Sequence, residues 1–280
     1  MQIITRITDM QSLADSFRRE GKAIGFVPTM GFLHEGHLSL MRQARAACDL
    51  VVASIFVNPT QFGPNEDFDR YPRDEEGDRK KCESAGVDVL FMPTVTEMYP
   101  GKPVVTVHVG GITDILEGAI RPGHYDGVAT VVAKLFNIVK PNRAFFGQKD
   151  YQQCAVIKRM ARGLDLEVEV SVLPTVRERD GLAMSSRNSY LSADERKSAT
   201  VIYRALSAAD QLVKSGKREP AALKGAIRSV IKEEKAMTID YVEIVDAESL
   251  LPVIDNACKM VILVAVRLGR TRLIDNLLVL

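Results

Sequence analysis

The first two thirds of the chain alternate apolar runs with segments whose apolar residues recur at helical spacing. Strands are predicted at residues 23–27, 49–57, 87–92, 143–146 and 166–172. Helices are predicted at residues 36–48, 74–85, 125–139 and 151–164. This alternation is typical of a Rossmann-like α/β domain, in which helices cover both faces of a parallel sheet.

The pattern changes near residue 176. A long Ala-rich helix is predicted over residues 192–215, and Ser192 and Glu195 form the signature of a capping box at its start. A second helix opens at Pro220 and runs to about residue 235, followed by strand-like runs at 239–245, 260–266 and from 272 onward. We therefore expect a first domain of residues 1–175 and a smaller C-terminal α+β domain of residues 176–280.

Composition and charge exclude several classes of protein. The 280 residues include 37 Lys and Arg against 36 Asp and Glu, a net charge of +1, and are 46% hydrophobic. Such a chain can collapse, and its near neutrality argues against nucleic acid or an anionic membrane surface as a partner. The longest apolar run, residues 260–266, is far shorter than the roughly 20 residues of a membrane helix, and no secretory signal is visible. We expect a cytoplasmic globular protein.

Cysteine spacing adds a further exclusion. Cys48, Cys82, Cys154 and Cys258 are widely scattered, with no CxxC pair. A zinc ribbon or a disulfide framework is therefore not indicated, and we expect four reduced, mostly buried thiols.

The strongest chemical signal is a turn that follows the first predicted strand. It comprises Pro28, Thr29, Met30, Gly31, Phe32, Leu33, His34, Glu35, Gly36 and His37. The chain here leaves the carboxyl edge of the sheet, where open α/β sheets bind ligands, and Gly31 permits a tight backbone approach. The His-X-Gly-His unit then opens a helix, whose free N–H groups favour phosphate. His34 and His37 are three residues apart and can face one ligand, so the segment predicts a site for a nucleotide that is used to form an adenylate.

Two other interpretations of the histidine pair stay open. A metal site is one, although no third His or Cys stands nearby at ligand spacing. Satisfied structural histidines are the other, and the position of the pair at a strand–glycine–helix junction counts against it.

A second segment carries Met184, Ser185, Ser186, Arg187 and Asn188 in a loop before the capped helix. Two hydroxyls and a guanidinium can wrap a triphosphate, the serines as neutral donors and the arginine as a bidentate clamp. Alone, this pentapeptide would more often be a capped surface loop. Together with the His-X-Gly-His unit it resembles the Lys-Met-Ser-Lys-Ser-type loop of the HIGH-motif nucleotidyltransferase superfamily, whose members activate carboxylates or phosphates at a nucleotide α-phosphate.

A third segment follows another predicted strand and opens a helix. It runs through Gly147, Gln148, Lys149 and Asp150 to Gln153. Lys149 supplies a compact cation for phosphate, and Asp150 can cap the helix or accept from a ribose hydroxyl. A solvated helix start is the alternative interpretation of Lys149.

Six segments together resemble the pantoate–β-alanine ligase family, in order and over nearly the whole chain. They are residues 28–37, 56–62, 121–125, 147–153, 184–188 and 271–276. The resemblance implies ATP-dependent condensation of (R)-pantoate with β-alanine to pantothenate, AMP and pyrophosphate, through a pantoyl-adenylate intermediate. It also implies Mg²⁺ on the ATP, a homodimer, and a C-terminal domain that acts as a lid over the ATP site.

The family pattern also implies roles for individual residues. His34, His37, Lys149, Ser185, Ser186 and Arg187 would hold phosphate charge during catalysis. Gln61 and Gln153 would recognise the hydroxyls of pantoate, Met30 would pack against its methyl groups, and Gln61 would also lie near β-alanine. ATP would in addition contact the rest of residues 28–37, together with Gly147, Gln148, Asp150, Val176 and Met184.

Other charged residues receive no catalytic role from the sequence. Asp74 and Asp78 are expected to be solvated or interface charges, and Arg121 and His124 to make at most phosphate or interface contacts. Two alternatives to the ligase stay open. One is another HIGH-motif nucleotidyltransferase that makes a nucleotide-linked product, and the other is a non-catalytic nucleotide-binding protein.

Overall fold

The computed structural model describes residues 1–64, 66–254 and 258–279. The chain divides into two compact units, one formed by Met1–Gly147 with Gln152–Pro174 and the other by Gln148–Tyr151 with Thr175–Leu280. The short segment Gln148–Tyr151 therefore groups with the second unit, although the residues on either side of it in the sequence belong to the first.

A six-stranded parallel sheet is the centre of the first unit. Its strands are β1 (Gln2–Ile4), β2 (Ile24–Thr29), β3 (Leu50–Ile55), β4 (Val89–Phe91), β5 (Arg143–Gly147) and β6 (Glu169–Leu173). The spatial order is β1-β4-β3-β2-β5-β6, so the chain builds one side of the sheet through β4 and then crosses over to add β5 and β6. The strand order reverses between β2 and β5, and the carboxyl ends of strands at such a switch point are where parallel sheets bind ligands.

Helices cover the sheet, as the alternation of strands and helices predicts. They are α1 (Ile7–Arg19), α2 (Glu35–Ala47), α3 (Glu75–Ser84), α4 (Val95–Met98), α5 (Glu117–Ile120), α6 (His124–Val139) and α7 (Tyr151–Gly163). Helix α6 is buried along most of its length and packs against α1, β2 and a 3₁₀ turn at Pro59–Gln61. The predicted Rossmann-like architecture is confirmed.

Burial of the central strands accounts for their largely apolar sequences. Ile24 and Phe26 of β2, and Val51 and Val52 of β3, are completely inaccessible to solvent. A strand buried on both faces has no solvent-facing side, so its sequence is nearly continuously apolar and does not alternate with polar residues. The sequence analysis assigned neither β1 nor α1, and β1, with three residues, is too short to show a period.

The second unit consists of an antiparallel sheet covered by helices. Its strands β7 (Met237–Asp246), β8 (Met260–Leu268) and β9 (Thr271–Val279) pair in that order. Its helices are α8 (Ala193–Ser198), α9 (Val201–Lys214) and α10 (Pro220–Lys232). The apolar faces of α9 and α10 form one core with the inward residues of the three strands. This arrangement confirms the predicted smaller α+β domain.

The single long helix predicted over residues 192–215 is wrong, because the chain breaks it between α8 and α9. The capping box at its start is present, with Ser192 and Glu195 bonding each other's main-chain N–H groups at 2.8 and 3.3 Å. At the break, Thr200 N–H donates to the Lys197 carbonyl three residues back, and its hydroxyl donates to the same carbonyl at 2.7 Å. A threonine hydroxyl competes with the helical hydrogen bonds in this way, and no helical period can show it.

Two further findings concern the chain as a whole. Among the described residues, no helix combines the length and apolarity needed to cross a membrane. The four cysteines are free thiols, with Cys82 and Cys154 buried and Cys48 and Cys258 partly exposed. Burial, followed by the charge of nearby Asp78, raises the pKa of Cys82 to about 12, so this thiol is inert at neutral pH.

Candidate active site

The histidine turn leaves the carboxyl end of β2 beside the switch point of the sheet. Pro28 and Thr29 end the strand, and the Thr29 hydroxyl donates to the Ser54 carbonyl at 2.8 Å and accepts from Gly31 N–H at 3.2 Å. Gly31 has φ +84°, and a Cβ there would lie 3.0 Å from both Asp78 and Ile55. Glycine is therefore required at this position by its backbone conformation and by its close neighbours.

The two histidine rings lie together at the start of α2. Their centroids are 4.1 Å apart and their planes are inclined by 40°. The Nδ1 atom of His34 accepts from Gly36 N–H at 3.2 Å, and that of His37 accepts from His34 N–H at 3.3 Å. A ring nitrogen that accepts a hydrogen bond carries no proton, so each neutral ring holds its proton on Nε2 and acts there as a donor. The hydrogen bonds from main-chain N–H groups to Nδ1 orient both rings. The two Nε2 donors are suited to binding phosphate oxygens.

Asp78 holds the turn in place, and of the two alternatives expected for it, a solvated or an interface charge, the solvated one is wrong. The residue is 1% exposed, and its two carboxylate oxygens accept from Phe32 N–H and Leu33 N–H, each at 2.7 Å. Burial raises the pKa of this carboxyl, an effect that the two N–H donors oppose. Phe32 adopts φ +49°, a conformation that a non-glycine residue keeps only when its neighbours enforce it. Asp74 caps α3 by accepting from Gly77 N–H at 3.0 Å.

Glu35 does not point its carboxylate at the histidine pair. It forms a bidentate ion pair with Arg42 on the surface of α2, at 2.6 and 3.0 Å. The hydrogen bond from Arg42 lowers the pKa of Glu35, so the carboxylate is ionised and engaged. Glu35 therefore contributes its main chain to the helix start.

Gln61 lies in a buried polar cluster at the end of the Pro59–Gln61 turn and is 8% exposed. Its side-chain oxygen accepts from Asn58 Nδ2 at 3.2 Å, and its Nε2 contacts the sulfur of Met30 at 3.0 Å. Asn58 is 1% exposed and also donates to the Gly127 carbonyl on α6 at 3.2 Å. The structure thus brings together Gln61 and Met30, two residues predicted to contact pantoate.

Arg121 and His124 bind this same turn. Arg121 pairs with Glu66 through two hydrogen bonds of 2.7 and 2.6 Å and contacts His124 Nε2 at 3.0 Å. The other ring nitrogen of His124 lies 2.8 Å from the main-chain carbonyl of Gln61. Burial, and then the charge of Arg121, lower the pKa of His124 to about 4. Partial burial alone would raise the pKa of Glu66, but the hydrogen bonds and charge of Arg121 outweigh it and lower the pKa.

Gly147, Gln152 and Gln153, from the segment predicted after β5, belong to the first unit. Gly147 ends β5, and Gln153 is half-buried in the first turn of α7. Gln152, which received no role from the sequence, is 3% exposed and donates to the Ile112 and Ile115 carbonyls at 2.7 and 2.8 Å. Gln152 thus holds the main chain of residues 112–117 by hydrogen bonds.

Lys149 belongs to the second unit and is held through its main chain. Asn276 Nδ2 donates to the carbonyls of Gln148 and Lys149, each at 2.9 Å, and its Oδ1 accepts from Gln148 Nε2 at 3.1 Å. Asn276 is 2% exposed on β9. The ammonium group of Lys149 lies 3.4 Å from Asp150. Residues 271–276 belong to the family-like segments, and the structure shows that Asn276 holds the Lys149 segment.

The serine–arginine loop has an ordered local structure. Met184 N–H donates to the Val176 carbonyl at 3.0 Å, which places these two predicted ATP contacts side by side. Ser185 caps a 3₁₀ turn at Ser186–Tyr190 by accepting from Arg187 N–H at 3.3 Å, and Ser186 is buried. Asn188 secures the turn through hydrogen bonds to Glu178 and to the Ala183 carbonyl. The predicted loop is therefore a short capped turn.

No group of three His, Cys, Asp or Glu side chains among the described residues is arranged to hold a metal ion. Mg²⁺ is usually held by one or two carboxylates together with substrate phosphates and water, and it needs no such protein cage.

The parallel sheet with a His-X-Gly-His helix start beside its switch point defines the class of this protein, an α/β enzyme of the HIGH-motif type. Comparison with known proteins narrows the class. The family model described as "Pantoate-beta-alanine ligase" matches residues 2–278. The chain therefore belongs to the pantoate–β-alanine ligase family, and it is an enzyme that forms an amide bond between pantoate and β-alanine.

Individual relatives agree with this assignment. The chain is 56% identical over 279 residues to a pantothenate synthetase of Caldicellulosiruptor saccharolyticus, covering 100% of this chain and 99% of the relative. A crystal structure of the pantothenate synthetase from Thermus thermophilus superposes with a TM-score of 0.94 at 48% identity, over 99% of both chains. A Francisella tularensis pantoate-beta-alanine ligase, crystallised with "Beta-gamma ATP and Beta-alanine", gives a TM-score of 0.83 at 37% identity, covering 99% of this chain and 97% of that one.

Proposed function

We propose that the chain uses ATP to convert pantoate into pantoyl adenylate and then transfers the pantoyl group to β-alanine. In the first step a carboxylate oxygen attacks the α-phosphorus, and the bond to the departing pyrophosphate breaks. In the second step the β-alanine amine attacks the acyl carbon, and AMP leaves. The observation that carries this proposal is the histidine pair at the start of α2, with both rings oriented by main-chain N–H groups. The Francisella ligase crystallised with an ATP compound and β-alanine supports it.

The first step needs charge neutralisation more than proton transfer. Pantoate is already a carboxylate at neutral pH, so no general base is required. His34 and His37 would donate from Nε2 to phosphate oxygens, with His37 assisting the departure of pyrophosphate. Lys149, Ser185, Ser186 and Arg187 would hold the charge that grows toward pyrophosphate. The ordered turns that carry the latter group support this role, because fixed donors need little reorganisation during reaction.

Pantoate recognition falls to Gln61, Gln153 and Met30 in this proposal. A primary amide both donates and accepts, which suits a substrate with two hydroxyl groups. The contact between Gln61 and Met30 supports a common site in which amide and apolar side chain face one small molecule. Gln61 would also lie near incoming β-alanine. The remaining predicted contacts to ATP are main-chain groups of residues 28–37 and 147–150, with Val176 and Met184.

Magnesium would enter with the triphosphate and supply further charge neutralisation. The protein's own part is to align the phosphates with the histidines and cations named above.

The assembly and location of the enzyme also belong to the proposal. We infer a homodimer in the cytoplasm. In the first unit Val104 is nearly fully exposed and Val105 is largely exposed, and exposed apolar side chains of this kind favour a second protein chain that covers this part of the surface. The lid role of residues 176–280, and their boundary at residue 176, stay predictions. Light scattering coupled to size-exclusion chromatography tests the dimer, and a monomer at micromolar concentration would contradict it.

The decisive test is an assay of AMP release. AMP should appear only when pantoate, β-alanine and ATP are all present at multiple turnover, and a bound pantoyl adenylate should accumulate when β-alanine is omitted. Release of ADP in place of AMP, or turnover that ignores β-alanine, would overturn the proposed mechanism.

Two histidine variants, one in the site and one outside it, test the site itself. His37→Ala should lower the rate of adenylate formation about a hundredfold, as loss of one charge-stabilising donor typically does. His108→Ala is the matched control, because His108 is exposed and pairs with Asp126 at 2.9 Å. Circular dichroism should show the same fold in both variants. Full activity of His37→Ala would show that α2 is not the phosphate site.

A further inference from the structure

We propose that Glu66, Arg121 and His124 form a positioning relay that fixes Gln61 for substrate recognition without touching substrate themselves. The inference rests on the proposed role of Gln61 in binding pantoate. It assigns a purpose to the Arg121–Tyr125 segment, whose resemblance to the family implied no definite role.

The hydrogen bonds of His124 admit one protonation state. The carbonyl of Gln61 can only accept, so His124 Nδ1, 2.8 Å away, must donate. Arg121 can only donate, so Nε2 of the same ring, at 3.0 Å, must accept. The neutral ring with its proton on Nδ1 satisfies both partners, which is the opposite tautomer from that of His34 and His37.

Arg121 is itself immobilised, which makes the relay rigid. Its guanidinium forms a two-bond pair with Glu66, and the two side chains are only 18% and 25% exposed. A bidentate pair fixes the plane of the guanidinium as well as its position. The third nitrogen is thereby aimed at His124, and His124 is aimed at Gln61.

The recipient turn is packed closely enough to transmit this constraint. His124 and Gly127 lie three residues apart on α6 and share one face of the helix. A Cβ on Gly127 would come within 2.3 Å of the Thr60 carbonyl oxygen and 2.7 Å of Gln61 N, so the turn rests directly on this face. With its main-chain carbonyl bound by His124 and its side-chain oxygen bound by Asn58, Gln61 is restrained at both ends.

Two substitutions at position 124 separate positioning from general packing. In His124→Asn the side-chain amide nitrogen takes the place of Nδ1, so donation to Gln61 survives while the contact with Arg121 is lost. In His124→Gln the longer side chain brings its amide oxygen to the place of Nε2. The contact with Arg121 therefore survives, and donation to Gln61 is lost. We expect His124→Gln to raise the KM for pantoate about tenfold with little change in the KM for ATP, and His124→Asn to recover most of the loss.

Three comparisons complete the experiment. His108→Gln, at an exposed histidine, should leave both KM values unchanged, and Glu66→Gln should raise the KM for pantoate in the same sense as His124→Gln. Equal pantoate KM values for wild type and His124→Gln, in a folded protein, would overturn the relay. If position 124 tolerates neither amide, an unchanged pantoate KM in Glu66→Gln would overturn it. Gln61→Ala is measured in parallel. If it leaves the KM for pantoate unchanged, the proposed role of Gln61 fails. If Gln61→Ala raises this KM and His124→Gln does not, only the relay is overturned.

A spectroscopic readout needs no catalysis. In protein labelled with ¹⁵N-histidine, NMR should find the His124 proton on Nδ1 and the protons of His34 and His37 on Nε2. A His124 proton on Nε2 would show that the ring does not donate to Gln61, and would contradict the proposal.

Discussion

Gln61 and Lys149 are held in place by different means. The Gln61 network, formed by Asn58, Gln61, Glu66, Arg121 and His124, restrains both the main chain and the side chain of its central residue. Asn276 binds the main chain on either side of Lys149, and the long side chain of Lys149 carries the charge.

The difference fits what each residue is proposed to do. Recognition of a hydroxyl depends on the direction of a hydrogen bond, so an amide must be fixed within a fraction of an ångström. Stabilisation of phosphate charge falls off slowly with distance, and a lysine ammonium works as a point charge on a flexible stem. Recognition of a hydroxyl group thus requires a network that fixes the side chain itself. Stabilisation of phosphate charge by a lysine requires only that its main chain be held in place.

The largest expected effect comes from replacing the two central residues. Lys149→Ala should lower kcat by about 10²–10³-fold, and Lys149→Arg should restore most of it because the charge is kept. Gln61→Asn should behave like Gln61→Ala in the KM for pantoate, because a shorter amide cannot keep the direction of its bonds. Steady-state kinetics measures both, and rescue of pantoate binding by Gln61→Asn would break the distinction between the two residues.

A second prediction concerns acid. The pKa of His124, about 4, lies below its ordinary value of 6.5, so protonation favours the unfolded chain. Its contribution to stability is therefore complete above pH 6.5 and is lost as the pH falls toward 4. By linkage the free energy of unfolding should fall by about 2.5 kcal/mol from this group between neutral pH and pH 4.5. Urea unfolding of wild type and His124→Asn at both pH values gives the difference, and parallel losses in the two proteins would contradict a neutral His124.

The third prediction removes the side-chain support of Gln61. Asn58→Ala deletes the donor to Gln61 Oε1 and to the Gly127 carbonyl, in a place that is 1% exposed. Buried partners left without hydrogen bonds should lower the free energy of unfolding by about 2 kcal/mol. The KM for pantoate should rise as well. Denaturation together with kinetics checks both, and unchanged pantoate binding would show that the main-chain restraint alone suffices.

The smallest effect is expected at the Lys149 support. Asn276→Ala frees the carbonyls of Gln148 and Lys149, but both residues are partly exposed and water can replace the lost donor. We expect a loss of about 1 kcal/mol in stability. A fall in kcat of a few fold should accompany it, with an unchanged KM for pantoate. A rise in the pantoate KM as large as that of Asn58→Ala would remove the contrast between the two supports.

Much of this architecture was predictable because local patterns record it. Strands β2 and β3 are mainly apolar because both of their faces are buried, and the capping box at Ser192 marks the start of its helix. The His-X-Gly-His helix start was also visible, since glycine and histidine at this spacing have few other uses after a strand. The break at Thr200 was not, because a side-chain hydroxyl that competes for one carbonyl leaves the apolar period intact.

Asp78 shows where such patterns mislead. It lies in a helix of charged residues, a pattern that indicates a solvated or interface charge, yet it is buried and binds a turn 46 residues earlier in the chain. Its neighbours Glu75, Glu76, Arg79 and Lys80 do form the exposed charged face that the pattern indicates. A single buried carboxylate within a charged helix is marked only by the face on which it lies.

Residue types, their order and their short spacings established the strands, the helix starts and the candidate chemistry, because these depend on neighbours within a few residues. The supports of that chemistry arise from contacts between distant parts of the chain. Asn276 reaches Lys149 across 127 residues, and His124 reaches Gln61 across 63. A hydrogen bond requires atoms within about 3 Å. The packing of helices and strands decides which distant residues come that close. Residue type alone does not distinguish a buried asparagine, aspartate or histidine from an exposed one.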